Sequence, residues 1–434
     1  MGHPKRARHA PPMYARLTFA GAAVRLVAAT ITLSLLAVPL SSAAEAAVTR
    51  PFTPRLTSNL SPGVVFQSGT MRTTGGRRQE VRIGTVDPRH AGVRLKALLS
   101  NDRVVRRAVV TKITNAKRRR GFVPMIATNG DMSTRQRVDG YAVPHSMAVS
   151  NGELMVAQAC ARPTLGVDAQ GNAHINNVRA MVTATPPSLK YATAIHKVNT
   201  PRDSGHVVLY TKRYASRTRT AYGGVEVVLQ MQDTLRPNGV QNVRVINVRR
   251  GGGNTPLRAG QAVISVKNPK HKWVYQLRVG QQFRLQTRVV QSVGGPCAAS
   301  MPPAPGFDDI VEAQGGNHFT LRGRRIVAPS RSTYRPGSER HPRSGLGITA
   351  DGRVLMVTVD GRRSGSAGVT LAEMGQLMRS LGAVHAFNLD GGGSAVMARF
   401  VPGTGRLAVA NRPSDGRQRP ATQAFAVFRV TPTP

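Results

Sequence analysis

Two aspartates in the C-terminal part of the sequence stand where a carboxylate could act on a substrate. Asp360 follows the apolar run Val354–Val359, and Asp390 follows the run Ala383–Leu389 and opens the sequence Asp-Gly-Gly-Gly-Ser. Paired carboxylates can serve as general acid and base, or as nucleophile and acid, in hydrolysis. The same residues could instead cap turns, or bind a structural calcium ion together with backbone carbonyls, although neither loop has EF-hand spacing.

A strand, a helix and a second strand are predicted around these aspartates. Thr370 and Glu373 have the spacing of a capping box, in which the threonine oxygen accepts a free backbone N–H and the glutamate reaches back to the cap. Apolar residues then recur at helical spacing until Gly382, which supplies a stop. A strand-helix-strand unit implies parallel strands whose carboxyl ends share one edge of a sheet. We therefore expect the two aspartates to meet at that edge.

A glycine run and a third polar segment extend this candidate site. Gly391, Gly392 and Gly393 let the backbone approach a ligand closely and can direct N–H groups at an anion. A dinucleotide-binding turn would need a helix after the glycines, and Pro402-Gly403 interrupts any such helix, so Rossmann-type binding is excluded.

The third segment is Asn129-Gly130-Asp131, which follows the apolar run Phe122–Ala127. It therefore occupies the same kind of position, at the end of a predicted buried strand, as the two aspartate motifs. Three polar motifs after three strands predict a single site.

Arginines at the ends of the motifs suit a phosphorylated ligand. Arg343 precedes the apolar segment Gly345–Ile348, while Arg362 and Arg412 lie at other motif ends. A guanidinium group binds phosphate through two parallel hydrogen bonds and stays charged. Most arginines in so basic a chain are solvated surface residues, and Arg343 is the exception for which we predict a phosphate contact.

The composition is strongly basic, because 61 lysines and arginines against 20 aspartates and glutamates give a formal net charge of +41 over 434 residues. This charge predicts acidic partners, unless the basic residues are merely spread over the surface. No helix-turn-helix, zinc-finger or RNA-recognition pattern occurs, which argues against nucleic acid. An apolar content of 40% excludes collagen, coiled coil and wholesale disorder.

Residues 1–46 are predicted to be a signal peptide. Basic residues precede the apolar run Leu26–Leu40, and Ala44-Glu45-Ala46 fits the small-x-small rule for cleavage. An uncleaved signal anchor is the alternative. Residues 47–62, punctuated by proline, threonine and serine, are predicted to be a linker. We therefore expect a secreted or cell-envelope protein with no stable transmembrane anchor after processing.

The two cysteines, Cys160 and Cys297, are predicted to form a disulfide, because an exported chain folds in an oxidising compartment. Their spacing matches no metal motif, and no catalytic-cysteine signature surrounds either residue.

The predicted fold class is α+β: a mixed sheet with a few packed helices, including the strand-helix-strand unit, plus a β-rich inserted region. Residues 63–185 and 297–434 are predicted to form the two parts of a catalytic domain, and the second part carries the main motifs. Between them, residues 186–296 alternate β-branched segments with turns and contain no catalytic cluster. We predict this region to be a β-rich insertion or subdomain.

At these motifs the sequence resembles the phosphodiester glycosidase family. The matching segments are Arg343–Ile348, Val359–Arg362, Gly368–Leu381, Asn388–Ser394 and Asn411–Gly416. The resemblance is strong over residues 307–430, weaker over 63–168, and does not cover the middle region. One departure concerns Asp131, which stands where the family has a second glycine and brings a new charge into or near the pocket.

The resemblance implies hydrolysis of a sugar 1-phosphodiester at the anomeric carbon, without a cofactor. It assigns Asp390 as the leading carboxylate, acting as nucleophile or base, and Asp360 as its partner or as an acceptor for a sugar hydroxyl. Phosphate is then held by Arg343 and Arg362. The remaining residues of the matching motifs are expected to contact substrate and orient the sugar: Asn129, Asn388, Gly391, Gly392, Gly393, Ser394, Asn411 and Arg412.

Two other functional classes stay open. The first is a non-catalytic envelope protein that binds phosphate polymers through its positive charge, so that a phosphate-bearing glycan or cell-wall polymer is the expected partner in either case. The second is a metal-dependent phosphodiesterase, which is disfavoured because no His/Asp cluster with metal-ligand spacing occurs in the sequence.

Overall fold

The computed structural model describes residues 48–73, 76–135, 142–293, 295–298, 301–328 and 339–431. The predicted signal peptide, residues 1–46, lies outside the described residues. The structure is mostly β-sheet, with 51% strand, 8% helix and a nearly closed barrel-like sheet. The expected α+β class therefore overstated the helices. The described helices are short and lie singly between strands of mostly antiparallel sheets, so helices do not form a layer of their own.

The strands are numbered in chain order. The first fourteen are β1 Val48–Ser61, β2 Val64–Thr73, β3 Arg78–Val86, β4 Val93–Leu99, β5 Phe122–Asn129, β6 Ser133–Arg135, β7 Ala142–Pro144, β8 Ala148–Ser150, β9 Glu153–Val156, β10 Arg162–Asp168, β11 Ala173–Thr185, β12 Thr193–Ile195, β13 Lys197–Val198 and β14 Val208–Thr211. The others are β15 Val225–Met231, β16 Gly239–Arg250, β17 Gln261–Val266, β18 Gln282–Gln291, β19 Ile310–Gly315, β20 His318–Arg322, β21 Arg325–Ile326, β22 Arg343–Thr349, β23 Val354–Val359, β24 Ala383–Asn388, β25 Met397–Val401, β26 Arg406–Val409 and β27 Gln423–Val430.

In the described part of the chain, three α-helices accompany these strands: α1 Val110–Asn115, α2 Lys272–Gln276 and α3 Leu371–Ser380. Among the described residues, no helix has both the length and the apolar character needed to cross a membrane. Helix α3 begins with the predicted capping box, because Thr370 Oγ1 accepts from the Glu373 N–H at 3.1 Å and Glu373 Oε2 accepts from the Thr370 N–H at 2.9 Å.

The strands around α3 belong to an eight-stranded sheet with the order β1-β2-β3-β23-β22-β24-β20-β21. Strands β23 and β24 both pair antiparallel with β22, so they run parallel to each other with one strand between them. Their carboxyl ends therefore share an edge, as the sequence predicted, although they are not direct neighbours. Strand β22 starts at this edge, where Arg343 pairs with Val359 and Gly345 pairs with Asn388.

A five-stranded sheet, ordered β26-β25-β5-β27-β4, packs against the eight-stranded one. Met125 and Phe425 from this sheet share a fully buried cluster with Val64, Leu346 and Phe387 from the larger sheet. Burial of this apolar surface holds the two sheets face to face. As a result, the ends of β5 and β24 meet.

The middle of the chain is rich in strands but does not form a separate sheet. Strands β12 to β18 join β8 to β11 and β19 in one twelve-stranded sheet. Strand β11, Ala173–Thr185, pairs along its second half with β18, Gln282–Gln291, across the predicted boundary at residue 186. The hydrogen-bond ladder is thus continuous between the two regions.

Residues 47–62, predicted to be a linker, contain a regular strand instead. Strand β1 pairs antiparallel with β2 and lies at the edge of the eight-stranded sheet. An edge strand can carry proline, because one row of its backbone groups has no neighbouring strand to bond. Pro51 and Pro54 therefore did not signal a break in structure.

The predicted disulfide between Cys160 and Cys297 is confirmed. It connects the segment before β10 to the segment after β18 and spans a sequence separation of 137 residues. The cross-link therefore ties the start of β10, which lies near the site described below, to the far end of the β-rich region.

We expect replacement of both cysteines by serine to destabilise the fold. Closing a loop this long contributes about 4–5 kcal/mol in the chain-entropy model, and measured losses are typically about 2–5 kcal/mol. The measurement is the midpoint of urea unfolding for the double variant and the oxidised wild type, with reduced wild type as the control. Identical midpoints for all three proteins would contradict the prediction.

Candidate active site

Asp390 lies directly after β24 and is held by the segment that follows β5. Its N–H donates to the carbonyl of Gly130 at 3.1 Å, and Asn129 Nδ2 donates to its carbonyl at 2.8 Å. The Asp390 carboxylate accepts from the N–H of Gly391 at 2.9 Å. Three backbone contacts thus fix a half-buried carboxylate at the sheet edge.

Asn129 is the residue that joins the two sheets at this point. It is fully buried, and its Oδ1 accepts from Ser344 Oγ at 2.7 Å and from the Val396 N–H at 3.2 Å. Its amide nitrogen donates to Asp390, so both ends of the side chain are bonded within the protein. This makes Asn129 a positioning residue for Asp390, and its predicted contact with substrate stays a prediction.

A polar cavity of about 160 Å³ opens beside Asp390. Side chains from four separate parts of the chain line it: Arg107, Asn129, Asp131, Asp390, Ser394 and Arg419. The structure thus brings three of the predicted site residues, Asn129, Asp390 and Ser394, into one cavity. The same cavity also contains a second carboxylate, Asp131, and two arginines, Arg107 and Arg419.

The second carboxylate, Asp131, is buried without the usual compensation. Its side chain is 5% exposed, and neither oxygen has a partner in hydrogen-bond geometry among the described residues. The nearby Ser146 hydroxyl donates to the carbonyl of Gly316 instead, at 3.0 Å. Burial raises the pKa of Asp131 to about 7, with Ser146 and Arg162 opposing the rise and the charge of Asp390 adding to it. Asp131 is therefore largely protonated in mildly acid solution and ionises as the pH rises through neutrality.

Other buried polar atoms without partners surround the Gly130–Met132 segment. They are Gln314 Oε1, His145 Nε2 and Asn388 Oδ1, within the described part of the chain. His145 is tied to this segment by its N–H, which donates to the Met132 carbonyl, and Asn388 is tied to it through Asn317. Folded proteins leave few such atoms unsatisfied, so their concentration here is typical of a ligand site.

Arg162 supplies a positive charge that the sequence did not reveal. It begins β10, lies close enough to Asp131 to lower its pKa, and acts in the same direction on His145 and His318. Within the described ranges, its guanidinium group forms no ion pair. No motif surrounds Arg162 in the sequence, and only the antiparallel pairing of β10 with β19 brings it to the site.

The glycine run leaves room for two arginines. Gly392 has a φ of +61°, and a Cβ there would lie 3.2 Å from both terminal nitrogens of Arg362. A Cβ on Gly393 would overlap the ion pair between Asp415 and Arg419. The glycines therefore allow cationic side chains to lie directly against the loop that carries Asp390.

Asp360 occupies a separate, fully hydrogen-bonded environment. It is 1% exposed, and its carboxylate accepts from Asn411 Nδ2 at 2.9 Å and from the Arg412 N–H at 3.2 Å. Arg363 lies 3.5 Å away, and the residue does not line the cavity beside Asp390. Asp360 and Asn411 thus fix the loop after β26. The Arg412 side chain is exposed.

Arg343 is buried behind the sheet edge. Its guanidinium donates to the carbonyls of Val369 at 2.7 Å and Glu339 at 3.2 Å. Burial lowers the pKa of Arg343 to about 10, so it stays charged at neutral pH. Because these acceptors already occupy two of its nitrogens, its predicted phosphate contact remains a prediction, and Arg362 is the more accessible cation.

A metal centre is not evident at either aspartate. Across the described ranges, no group of three or more His, Cys, Asp and Glu side chains is arranged to hold a metal ion. Structural calcium stays a prediction.

Solved structures with the same fold come from two bacteria. A hypothetical protein from Synechocystis is 19% identical, with a TM-score of 0.67 over 87% of this chain and 64% of its own. An exported-protein candidate from Burkholderia pseudomallei K96243 is 20% identical, with a TM-score of 0.59 over 82% of this chain and 76% of its own.

A sequence relative comes from Bacillus subtilis strain 168, the SPbeta prophage-derived uncharacterized protein YomE. It is 31% identical over 128 residues, which are 27% of this chain and 18% of that protein. The chain thus spans less than a fifth of the length of this relative.

The sequence pattern that defines the phosphodiester glycosidases matches residues 123–428, which include β5 with Asn129, the Asp390 loop and Arg162. This match covers well over half of the chain and contains the whole cavity apart from Arg107. The chain therefore belongs to the phosphodiester glycosidase family.

Proposed function

We propose that this protein hydrolyses the glycosidic bond of a sugar 1-phosphodiester in a glycan or cell-envelope polymer, after export from the cell. The bond between the anomeric carbon and the phosphate oxygen breaks. The oxygen of water ends on the sugar, which becomes a free reducing sugar, and a proton from water is taken up by the phosphate monoester. The observation that carries this proposal is the Asp390 carboxylate, fixed by backbone contacts in a polar cavity within the family's matching region.

Asp390 acts at the anomeric carbon. As that bond breaks, positive charge develops on the sugar ring, and a carboxylate beside it stabilises the charge while acting as nucleophile or base. The hydrogen bonds that hold the backbone of Asp390 pre-position its carboxylate beside the cavity. Ser394, which lines the cavity, orients the sugar hydroxyls together with Asn388. Their support is the position of Ser394 and the lack of a partner for Asn388 Oδ1 among the described residues.

Cations hold the phosphate, and the carboxyl group of Asp131, when it is protonated, adds no negative charge beside it. Arg362 lies against Gly392, and Arg162 lies near Asp131, so positive charge borders the Asp390 loop from two directions. The phosphate monoester departs as a stable anion and needs little protonation. An ionised Asp131 would repel that anion, whereas its protonated form does not. The raised pKa of Asp131 therefore favours a phosphorylated substrate in mildly acid solution.

Arg362→Ala is expected to lower kcat/KM on a sugar 1-phosphodiester by roughly a hundredfold, because one preorganised charge contact to the departing phosphate is lost. Arg284→Ala is the matched control, because this variant removes the same charge from an exposed side chain on β18 that belongs neither to the predicted site nor to the cavity beside Asp390. Steady-state kinetics on both variants make the test. Equal losses would contradict a specific role for Arg362.

The proposal itself is tested by incubating the purified protein with a panel of sugar 1-phosphodiesters, with and without chelator, and measuring released reducing sugar. Release that persists with chelator supports it. Failure to cleave any member, by protein shown to be folded, would overturn it. In that case the alternative is a non-catalytic envelope protein that binds phosphate polymers, which the net charge of +41 favours.

A further inference from the structure

A second cavity, of about 750 Å³, lies in the β-rich region that the proposed reaction does not use. It is bordered by the loops around β14, β15 and β17, and none of its lining residues lines the cavity beside Asp390. We call it the tyrosine cleft, after Tyr210, Tyr214 and Tyr222, which contribute to its wall.

The tyrosine cleft is positively charged. Four basic residues line it: Arg202, Arg217, Arg219 and Lys267. The one carboxylate among the lining residues, Asp203, is already paired with Lys197 at 2.6 Å and His206 at 2.8 Å. Basic residues thus outnumber carboxylates four to one among the lining residues, which favours an anionic ligand.

The loop that carries two of these four basic residues, residues 216–222, is fixed from beneath. Glu226 is fully buried, and its carboxylate accepts from Thr218 Oγ1 at 3.2 Å, Thr220 Oγ1 at 2.8 Å and Ser265 Oγ at 2.9 Å. A buried carboxylate with several hydroxyl donors is costly to disrupt. The cationic loop is thus preorganised, which lowers the entropy lost when a ligand binds.

An exposed aromatic ring completes the cleft. Tyr222 is 83% exposed, although tyrosine normally buries much of its ring. Its flat apolar face can cover the apolar face of a sugar ring, while the neighbouring cations contact phosphates. The combination suits a polymer in which sugars and phosphates alternate better than it suits a simple anion.

We propose that the tyrosine cleft binds a phosphate-bearing glycan outside the catalytic cavity and retains the polymer while Asp390 acts on another of its bonds. The choice of glycan rests on the proposed function, whereas binding in the cleft needs no turnover. Several cations spaced along one cleft match the repeating charges of such a polymer.

The test compares two double variants of the same composition. Tyr222→Ala/Lys267→Glu alters the cleft, and Tyr191→Ala/Lys190→Glu makes the same changes at an exposed tyrosine and lysine that do not line it. Binding of a fluorescent oligomer of hexose 1-phosphate repeats is measured by anisotropy at several salt concentrations, in an Asp390→Asn background that prevents cleavage. Circular dichroism checks that both variants are folded.

The cleft variant is expected to lose about tenfold or more in affinity, the scale of one hydrogen bond to a charged group, and to show a shallower salt dependence. The control variant is expected to keep the wild-type affinity. With Asp390 restored, both variants should cleave a small sugar 1-phosphodiester at the wild-type rate, which separates this inference from the proposed function.

Equal losses in the two variants would mean that the polymer binds diffusely to surface charge, and would overturn the proposal. So would an unchanged affinity in the cleft variant. Inorganic polyphosphate and single-stranded DNA serve as competing probes. If either displaces the oligomer at lower concentration than unlabelled glycan does, the cleft recognises a different class of polyanion.

Discussion

Replacing Asp390 with asparagine is expected to lower kcat/KM on a sugar 1-phosphodiester on the order of a thousandfold or more, with little change in melting temperature. The amide keeps the shape of the side chain and loses the charge that stabilises an oxocarbenium-like transition state. The fold should survive, because Gly130 and Asn129 hold Asp390 through its backbone rather than through its carboxylate. Single-turnover kinetics and thermal unfolding on the same preparation make the measurement.

Asp360→Asn is the informative comparison. Asp360 is buried and accepts from Asn411 and from the Arg412 N–H, so its loss should lower the melting temperature and disturb the loop after β26. If Asp390→Asn instead unfolded the protein along with its activity, Asp390 would be a turn-capping residue. Undiminished turnover in that variant would remove Asp390 from the mechanism.

The second prediction with a large expected effect is that kcat/KM depends on the protonation of Asp131. With a pKa of about 7, Asp131 is protonated in mildly acid solution and ionises as the pH rises through neutrality. Its negative charge then opposes binding of the anionic phosphate and ionisation of Asp390. Repulsion between neighbouring unit charges, at an effective dielectric constant near 20, is on the order of 2–3 kcal/mol, or roughly thirtyfold to a hundredfold in rate. We therefore expect kcat/KM to fall above about pH 7 in the wild type.

Asp131→Asn is expected to abolish that fall while keeping activity below it, because asparagine resembles the protonated carboxyl at every pH. The charged groups that face Asp131 are Arg162 and Asp390, and burial lowers the pKa of the nearby His145, which keeps it neutral. The measurement is kcat/KM from pH 5 to 9 for both proteins. A variant inactive at all pH values would show that Asp131 donates a proton in the reaction.

The same substitution makes a separate prediction for stability. The pKa of Asp131 rises from 3.8 to about 7 on folding, so the folded state binds more protons than the unfolded state between these values. Stability from this group is complete below about pH 4 and is lost as the pH rises to about 7. Thermal unfolding of Asp131→Asn should therefore equal that of the wild type at pH 4 and exceed it at pH 8. A constant difference across this range would contradict the buried, protonated state.

The sequence by itself determined the local frame of the site. The capping box at Thr370 and the helical spacing that follows it depend on contacts within a few residues, so they could be predicted directly. The shared edge of β23 and β24 followed from the handedness of a crossover, and the disulfide followed from two cysteines in a chain predicted to be exported. The resemblance to the family at Asn388–Ser394 could also be recognised from the sequence, because it depends only on adjacent residues.

Only the tertiary structure decided which residues share the cavity. Asn129 and Asp390 are 261 residues apart, and they meet because two sheets pack through a common core. Asp360 looked equivalent to Asp390 in sequence, yet it lies outside this cavity and accepts hydrogen bonds from Asn411 and the Arg412 N–H, so its catalytic role stays a prediction. Arg162 carries no motif and reaches the site through strand pairing. Local propensity is encoded by neighbours in the chain, whereas burial, pKa and convergence of charge depend on long-range packing that no single segment specifies.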